Sequence, residues 1–247
     1  MALTFRANAI PLAKRPVRET DRVYSVLTED RGKLELLARG SRKIVSKLAG
    51  EMEQIGVLDI FIARGRAFDH LAGAAALKSF PLIRASLPRL LAALAAAAFL
   101  DRAVKPAFGD PALFNLLREY LETVASAPER SVPDSALTPA FFWKLFVRLG
   151  FRPDLEKCVR CRKDVAGGEC SWTSHHGGVV CRSCRAELAL ADAAPISRDT
   201  LTALNFFISS PLEECSRFFP SPPLSLSVKA LTAAWSQRHL ELPAIGV

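Results

Sequence analysis

From Ala7 to Phe80 apolar and polar residues exchange over short runs: Ala9 to Lys14, Val23 to Thr28, Lys33 to Ala38, Ile55 to Ala63 and Phe68 to Lys78. Alternation with a period of two shows at Lys33, Leu34, Glu35 and Leu36, and again at Val57, Asp59 and Phe61. Glu29-Asp30-Arg31-Gly32 and Arg64-Gly65-Arg66 supply turns between the runs. Five short strands with no long helix among them predict a small closed barrel. The longer connection from Gly40 to Gln54, between the third and fourth runs, suits the five-stranded Greek-key barrel called the OB-fold. A five-stranded barrel with no ligand is the plainer alternative.

After Pro81 the period becomes helical. Leu87, Leu90, Leu91 and Leu94 share one face of an alanine-rich segment, which reads as a core-facing stripe, and Pro88 either starts the helix near Leu87 or bends it there. Asp110-Pro111 is a cap followed by proline at the first helical position, ahead of Leu113, Leu116, Leu117 and Leu121. Thr138-Pro139 repeats the device before Phe142, Leu145, Phe146 and Leu149, and Gly150 stops that helix. A helix follows the cap Ser197, and a last one is predicted over Ser225 to Leu240. The fold class expected is α+β: a barrel over residues 1–80, then a helical domain over 81–247 interrupted by an excursion from about Asp154 to Arg185.

That excursion holds Cys158, Cys161, Cys181 and Cys184, two Cys-x-x-Cys knuckles nineteen residues apart. Four thiolates at this spacing suit one structural zinc ion, whose closed sulfur shell leaves no position for a reactive water. A metal would also order a thirty-residue segment that lacks a core of its own. His175 and His176 sit before Gly177-Gly178 and read as a hairpin tip, Cys170 as a spare thiol, and Cys215 as a small core residue. An open metalloenzyme site, with Cys170 or His176 in place of one sulfur, is the alternative.

The chain has 247 residues and a net charge of +8. Through Phe80 there are 14 Lys and Arg against 9 Asp and Glu, and from Pro81 onward 19 against 16, so the excess is concentrated in the first third. No signal-peptide-like run opens the chain, and the longest apolar stretch, Leu90 to Leu100, is too short for a membrane span; a cytoplasmic protein without a membrane partner is expected. Arg31, Lys33, Arg39, Arg42, Lys43 and Lys47 lie on one predicted strand and its following loop, opposed only by Glu35, with Arg64 and Arg66 able to extend the surface. Such a compact patch would neutralise nucleic-acid phosphates. Aromatic residues are scarce in the barrel segment, so backbone contact should outweigh base stacking. Lys157, Arg160, Arg162, Lys163, Arg182 and Arg185 surround the knuckles, where they offset the charge of a tetrathiolate zinc or touch DNA. Phosphate-loop, dinucleotide, zinc-protease and nucleophile-elbow motifs are missing from the sequence, which speaks against an enzyme.

Asp21-Arg22-Val23-Tyr24-Ser25-Val26-Leu27-Thr28, then Gly32-Lys33-Leu34 and Ala38-Arg39-Gly40-Ser41-Arg42-Lys43, with Leu48 to Glu53 and Arg64-Gly65-Arg66, resemble the bacterial recombination mediators of the RecO family. The resemblance implies an N-terminal OB-fold, a helical C-terminal domain and a four-cysteine zinc module. It also implies binding of single- and double-stranded DNA and annealing of complementary strands coated by single-strand-binding protein, whose acidic C-terminal tail would be a partner. Cooperation with RecR in loading RecA is implied as well. A zinc-stapled RNA-binding or ribosome-associated module would share the basic barrel.

Overall fold

The computed structural model describes residues 4–43, 46–106, 109–165, 168–188 and 193–242. Ile44 and Val45, inside the expected basic connection, and residues 166–167, inside the excursion, lie outside the described residues. The chain divides into two compact units, residues 1–133 and 134–247.

In the first unit, β1 (Thr4–Pro16), β2 (Arg22–Thr28), β3 (Gly32–Ala38), β4 (Gly56–Ala63) and β5 (Asp69–Ser79) close a barrel in the order β1-β2-β3-β5-β4. Only the β3–β5 pair is parallel. The short helix α1 (Lys47–Met52) bridges β3 and β4, which gives the OB-fold arrangement. Alternation explains the inside: Tyr24 and Val26, Leu36 and Ala38, and Leu58, Ile60 and Ile62 point into one buried cluster, closed below by Met52. Gly56 is required where β4 meets β5, because a Cβ there would overlap the carbonyl oxygen of Lys78.

After the one-turn helix α2 (Pro81–Arg84), α3 (Leu87–Ala103) packs on β1 and on α4 (Pro111–Ser126). Asp110 caps α4 as predicted, accepting from the Ala112 N–H at 2.8 Å. Helix α3 departs from expectation. Its buried residues are Arg89, Ala93, Ala96, Ala97, Phe99 and Leu100, whereas of the expected stripe Leu90 is half-buried and Leu87, Leu91 and Leu94 are 67%, 58% and 49% exposed. The reason is steric: alanines let backbones approach closely, so the small-residue face packs inward and the leucines turn out. Both faces are apolar, and hydrophobic periodicity alone cannot choose between them.

The second unit is built around α5 (Leu137–Arg148), whose N-terminal cap is Ala136, so the expected cap Thr138 and Pro139 lie within its first turn; Gly150, at φ +90°, follows its C-terminal cap Leu149. Along it Phe141, Phe142, Trp143, Leu145 and Phe146 are all fully buried. The four-cysteine excursion carries β6 (Cys170–Thr173), β7 (Gly178–Cys181) and α6 (Arg182–Leu188), and β6 also pairs with the short β8 (Ala194–Pro195). Helices α7 (Arg198–Ser209), α8 (Leu212–Cys215) and α9 (Pro222–Leu240) complete the unit. Ser197 caps α7 through the Thr200 N–H, and α9 starts three residues before the predicted Ser225 because Pro222 and Pro223 fit its first turn. Cys215 is a buried core residue.

Trp172 on β6 packs edge-to-face against Trp143 on α5 and at a tilt against Trp235 on α9, with ring centroids 6.0 and 5.1 Å away. Each indole N–H donates: Trp143 to Thr232 Oγ1 at 3.1 Å, Trp235 to the Phe151 carbonyl at 3.2 Å, and Trp172 to Ser174 Oγ at 2.9 Å. The excursion is therefore anchored to the helices by a satisfied aromatic cluster.

Candidate nucleic-acid interface and metal centre

The barrel cations do not form one patch. Arg31 and Arg39 flank the two ends of β3, a seven-residue strand that spans roughly 20 Å. At one end the guanidinium of Arg31 lies over the Phe5 ring at 4.3 Å, and that of Arg64 approaches the same ring at 5.7 Å. The β4–β5 turn thus brings Arg64 beside Arg31, with Arg66 exposed in the same turn.

At the other end the chain turns at Gly40, whose φ of +64° is open to glycine without strain. The turn is held by buried Asp21, which accepts from the Gly40 N–H at 2.8 Å. This amide bond, the Thr20 hydroxyl and the guanidiniums of Arg18 and Arg39 keep the Asp21 carboxyl below its ordinary range, against the opposing effect of burial. A depressed carboxyl loses its contribution only as pH falls through its folded-state value, so the turn keeps this anchor at neutral pH and in mild acid. Arg42 donates through Nη1 to the Arg18 carbonyl at 3.2 Å, and its own N–H bonds the Thr20 carbonyl at 2.9 Å. Arg18, Arg39, Arg42 and Lys43 are all exposed around this turn, and Lys47 is exposed at the start of α1. Sequence reasoning missed Arg18. It lies outside the cation-rich window, and only the β1–β2 turn delivers it there.

Lys33, between the two groups, is positioned differently from the expected phosphate contact. Its side chain is 8% exposed and its ammonium is 2.9 Å from Asp101 Oδ1 on α3. Asp101 also accepts from the Ser25 hydroxyl on β2, so α3 covers the outer face of β2 and β3 at this point. Asp101→Ala should cost about 3 kcal/mol, because it strands a buried ammonium, whereas Lys33→Met should lie within about 1 kcal/mol of wild type. Urea unfolding followed by circular dichroism measures both. Lys33→Met is also expected to keep full DNA affinity, and a loss comparable to that from Arg39→Ala would return Lys33 to the binding surface.

In the second unit, Cys158, Cys161, Cys181 and Cys184 bring their sulfurs within 4.8 Å of one another. The knuckle geometry is made by the backbone: the Cys181 N–H points at Cys158 Sγ at 3.4 Å, the Arg162 N–H bonds the Cys158 carbonyl at 2.9 Å, and Arg162 takes a left-handed φ of 61°. Ser183 lowers the Cys181 thiol to about 6. Burial tends to raise Cys158, but the N–H groups of Cys161, Cys181 and Arg160 outweigh it and bring that thiol below its ordinary value. Burial pushes Cys184 up to about 12. Four crowded thiols so opposed cannot all ionise by themselves, and a divalent cation would allow it. The set fits a tetrahedral metal. Neither Cys170 nor His176 belongs to it: His176 closes the predicted hairpin tip, its N–H donating to Thr173 Oγ1 at 3.3 Å.

Residues 1–80 match the family described as Recombination protein O N terminal, and residues 84–245 match Recombination protein O C terminal. The chain belongs to the RecO family. The DNA repair protein RecO of Synechococcus sp. (strain JA-3-3Ab) is 33% identical over 244 residues, 94% of this chain and 76% of the relative. That of Rubrobacter xylanophilus is 32% identical over 216 residues, covering 87% and 85% of the two chains. The Dehalococcoides mccartyi (strain ATCC BAA-2100 / JCM 16839 / KCTC 5957 / BAV1) protein is 31% identical over 203 residues, covering 82% and 77%. An OB-fold, a helical part and a four-cysteine cluster are all present in this chain. Among the described residues no helix is long and apolar enough to cross a membrane.

Proposed function

We propose that this RecO-family DNA repair protein is a non-enzymatic recombination mediator. It binds single- and double-stranded DNA, anneals complementary strands coated by single-strand-binding protein through that protein's acidic tail, and works with RecR to load RecA in the cytoplasm, at the nucleoid. The observation that carries the DNA-binding part is the exposed cation group on the Asp21-anchored turn: Arg18, Arg39, Arg42 and Lys43, with Lys47 on the adjoining helix. Arg31, Arg64 and Arg66 supply a second group at the far end of β3. Cations on turns whose backbone is fixed contact phosphates without reading bases, and they screen the repulsion between two strands. Annealing then requires no bond to be made or broken by the protein. In this reading residues 1–80 are the nucleic-acid-binding domain, residues 81–247 are the helical domain, and a zinc ion on the four cysteines orders the module over about 154–185.

The test is annealing of complementary strands precoated with single-strand-binding protein, without nucleotide. Arg39→Ala plus Arg42→Ala is expected to slow it at least tenfold with unfolding behaviour unchanged. Wild-type annealing by that variant would remove the turn from the DNA surface.

A further inference from the structure

The second compact unit holds a cleft of about 590 Å³ whose walls include Ser171, Arg182, Arg185, Pro195, Ile196 and Arg198. This size is typical of ligand-binding clefts. Its cations come from two helices that the fold brings together: Arg182 and Arg185 from α6, directly after the metal-ligand candidate Cys181, and Arg198 from the first turn of α7. Strands β6 and β8 pair Ser171 with Pro195 beneath them. Ser171 is 4% exposed and its hydroxyl accepts from Arg185 Nη1 at 3.1 Å, which fixes that guanidinium at the wall. One carboxylate, Glu169, lines the cleft, 3.6 Å from Arg182, with both side chains more than four-fifths exposed. A pair so solvated is weak and readily exchanged. Arg185 and Arg198 make no ion pair among the described residues, so the cleft has a standing excess of positive charge.

We propose that this cleft is a phosphodiester-binding site, at which the chain holds a nucleic-acid backbone independently of the barrel. The inference rests on the DNA-binding reading above and adds a second contact region to it. The guanidinium forks of Arg185 and Arg198 match the paired oxygens of a phosphate, and Arg182 exchanges Glu169 for a third. No described lining residue is aromatic, so bases have no stacking platform and the site takes backbone from any sequence. Two backbone sites on one chain give annealing a division of labour: one strand on the barrel, its complement on the second unit, each held with its bases free. The four-cysteine cluster acquires a further consequence, since it fixes the start of α6 and with it Arg182 and Arg185.

Arg185→Ala plus Arg198→Ala in the full, metal-loaded chain tests this. Metal content and tryptophan emission first establish that the module is intact. The slope of log affinity for single-stranded DNA against log salt is then expected to fall by about 1.4, at about 0.7 for each phosphate no longer neutralised, and annealing of bare complementary strands to slow at least tenfold. If the double variant disturbs the module, Arg198→Glu alone carries the test, with a slope change in the same direction. An unchanged slope and unchanged annealing, beside clear losses in Arg39→Ala plus Arg42→Ala, would overturn the cleft and leave the barrel reading standing. No loss in either variant would overturn both. An unchanged DNA slope with abolished binding of a synthetic acidic peptide would instead assign the cleft to an acidic protein segment and reject the proposal.

Discussion

Cys184→Ser, or removal of the metal by a chelator, is expected to unfold the four-cysteine module and loosen the second compact unit while the barrel stays folded. Cys184 is 6% exposed and its thiol is pushed up by burial, so without a cation it stays a neutral thiol among three others. Structural zinc contributes roughly 10–16 kcal/mol of apparent binding free energy near neutral pH, comparable with or greater than the 5–15 kcal/mol that holds a typical domain. The segment has little else to replace it: two four-residue strands, a seven-residue helix and one aromatic anchor. That anchor makes the readout specific. The three tryptophans of the chain are Trp143, Trp172 and Trp235, all in the second unit and all in one cluster. A red shift of their emission therefore reports release of Trp172 and is silent about the barrel. Acidification should produce the same shift, because protons compete with the metal for thiolates. Unchanged emission in the metal-free protein would show that the aromatic cluster, and not the metal, orders the module.

Replacing Arg39, Arg42, Lys43 and Lys47 together by alanine should lower the salt slope of single-stranded DNA binding by up to about 3, at about 0.7 per neutralised phosphate. All four side chains are exposed, so unfolding midpoints should hardly move. Affinity should fall most at low salt and converge with wild type as salt rises, since screened charges contribute little in either protein. A parallel downward displacement at every salt concentration would instead mean that these residues act by interactions other than phosphate neutralisation. The complementary substitution is Asp21→Ala, which leaves every cation in place but removes the anchor of the Gly40 turn; its expected effect is weaker binding with a nearly unchanged slope.

Much of this arrangement could be read from residue order. The β-runs appear within one or two residues of their expected ends, apart from a first strand that extends five residues earlier and two later, because side-chain alternation is a local property of the pleat. Asp110, Ser197 and Gly150 announced helix ends for an equally local reason, as did the Cys-x-x-Cys spacing for a sulfur cluster. What escaped depends on partners distant in sequence. Lys33 looks like its neighbouring cations until Asp101, 68 residues later, is folded against it. Arg18 is an ordinary turn residue until the barrel closes and puts it beside Arg42. Leu87, Leu91 and Leu94 have the spacing of a core stripe, and only the closer fit of the alanine face sends them outward. Arg185 and Arg198 are thirteen positions apart, and nothing in their order shows that a three-stranded sheet joins them at one cleft.

The covering of β2 and β3 by Asp101 also sets a minimum footprint. A single strand touching both cation groups must skirt the helix over the length of β3. At roughly 20 Å, and with the axial rise of about 3.4 Å per nucleotide of a strand that keeps its helical stacking, that path is about six nucleotides long. Oligonucleotides shorter than this reach one end of the barrel only, and affinity should rise in a step, not a ramp, as length passes that threshold.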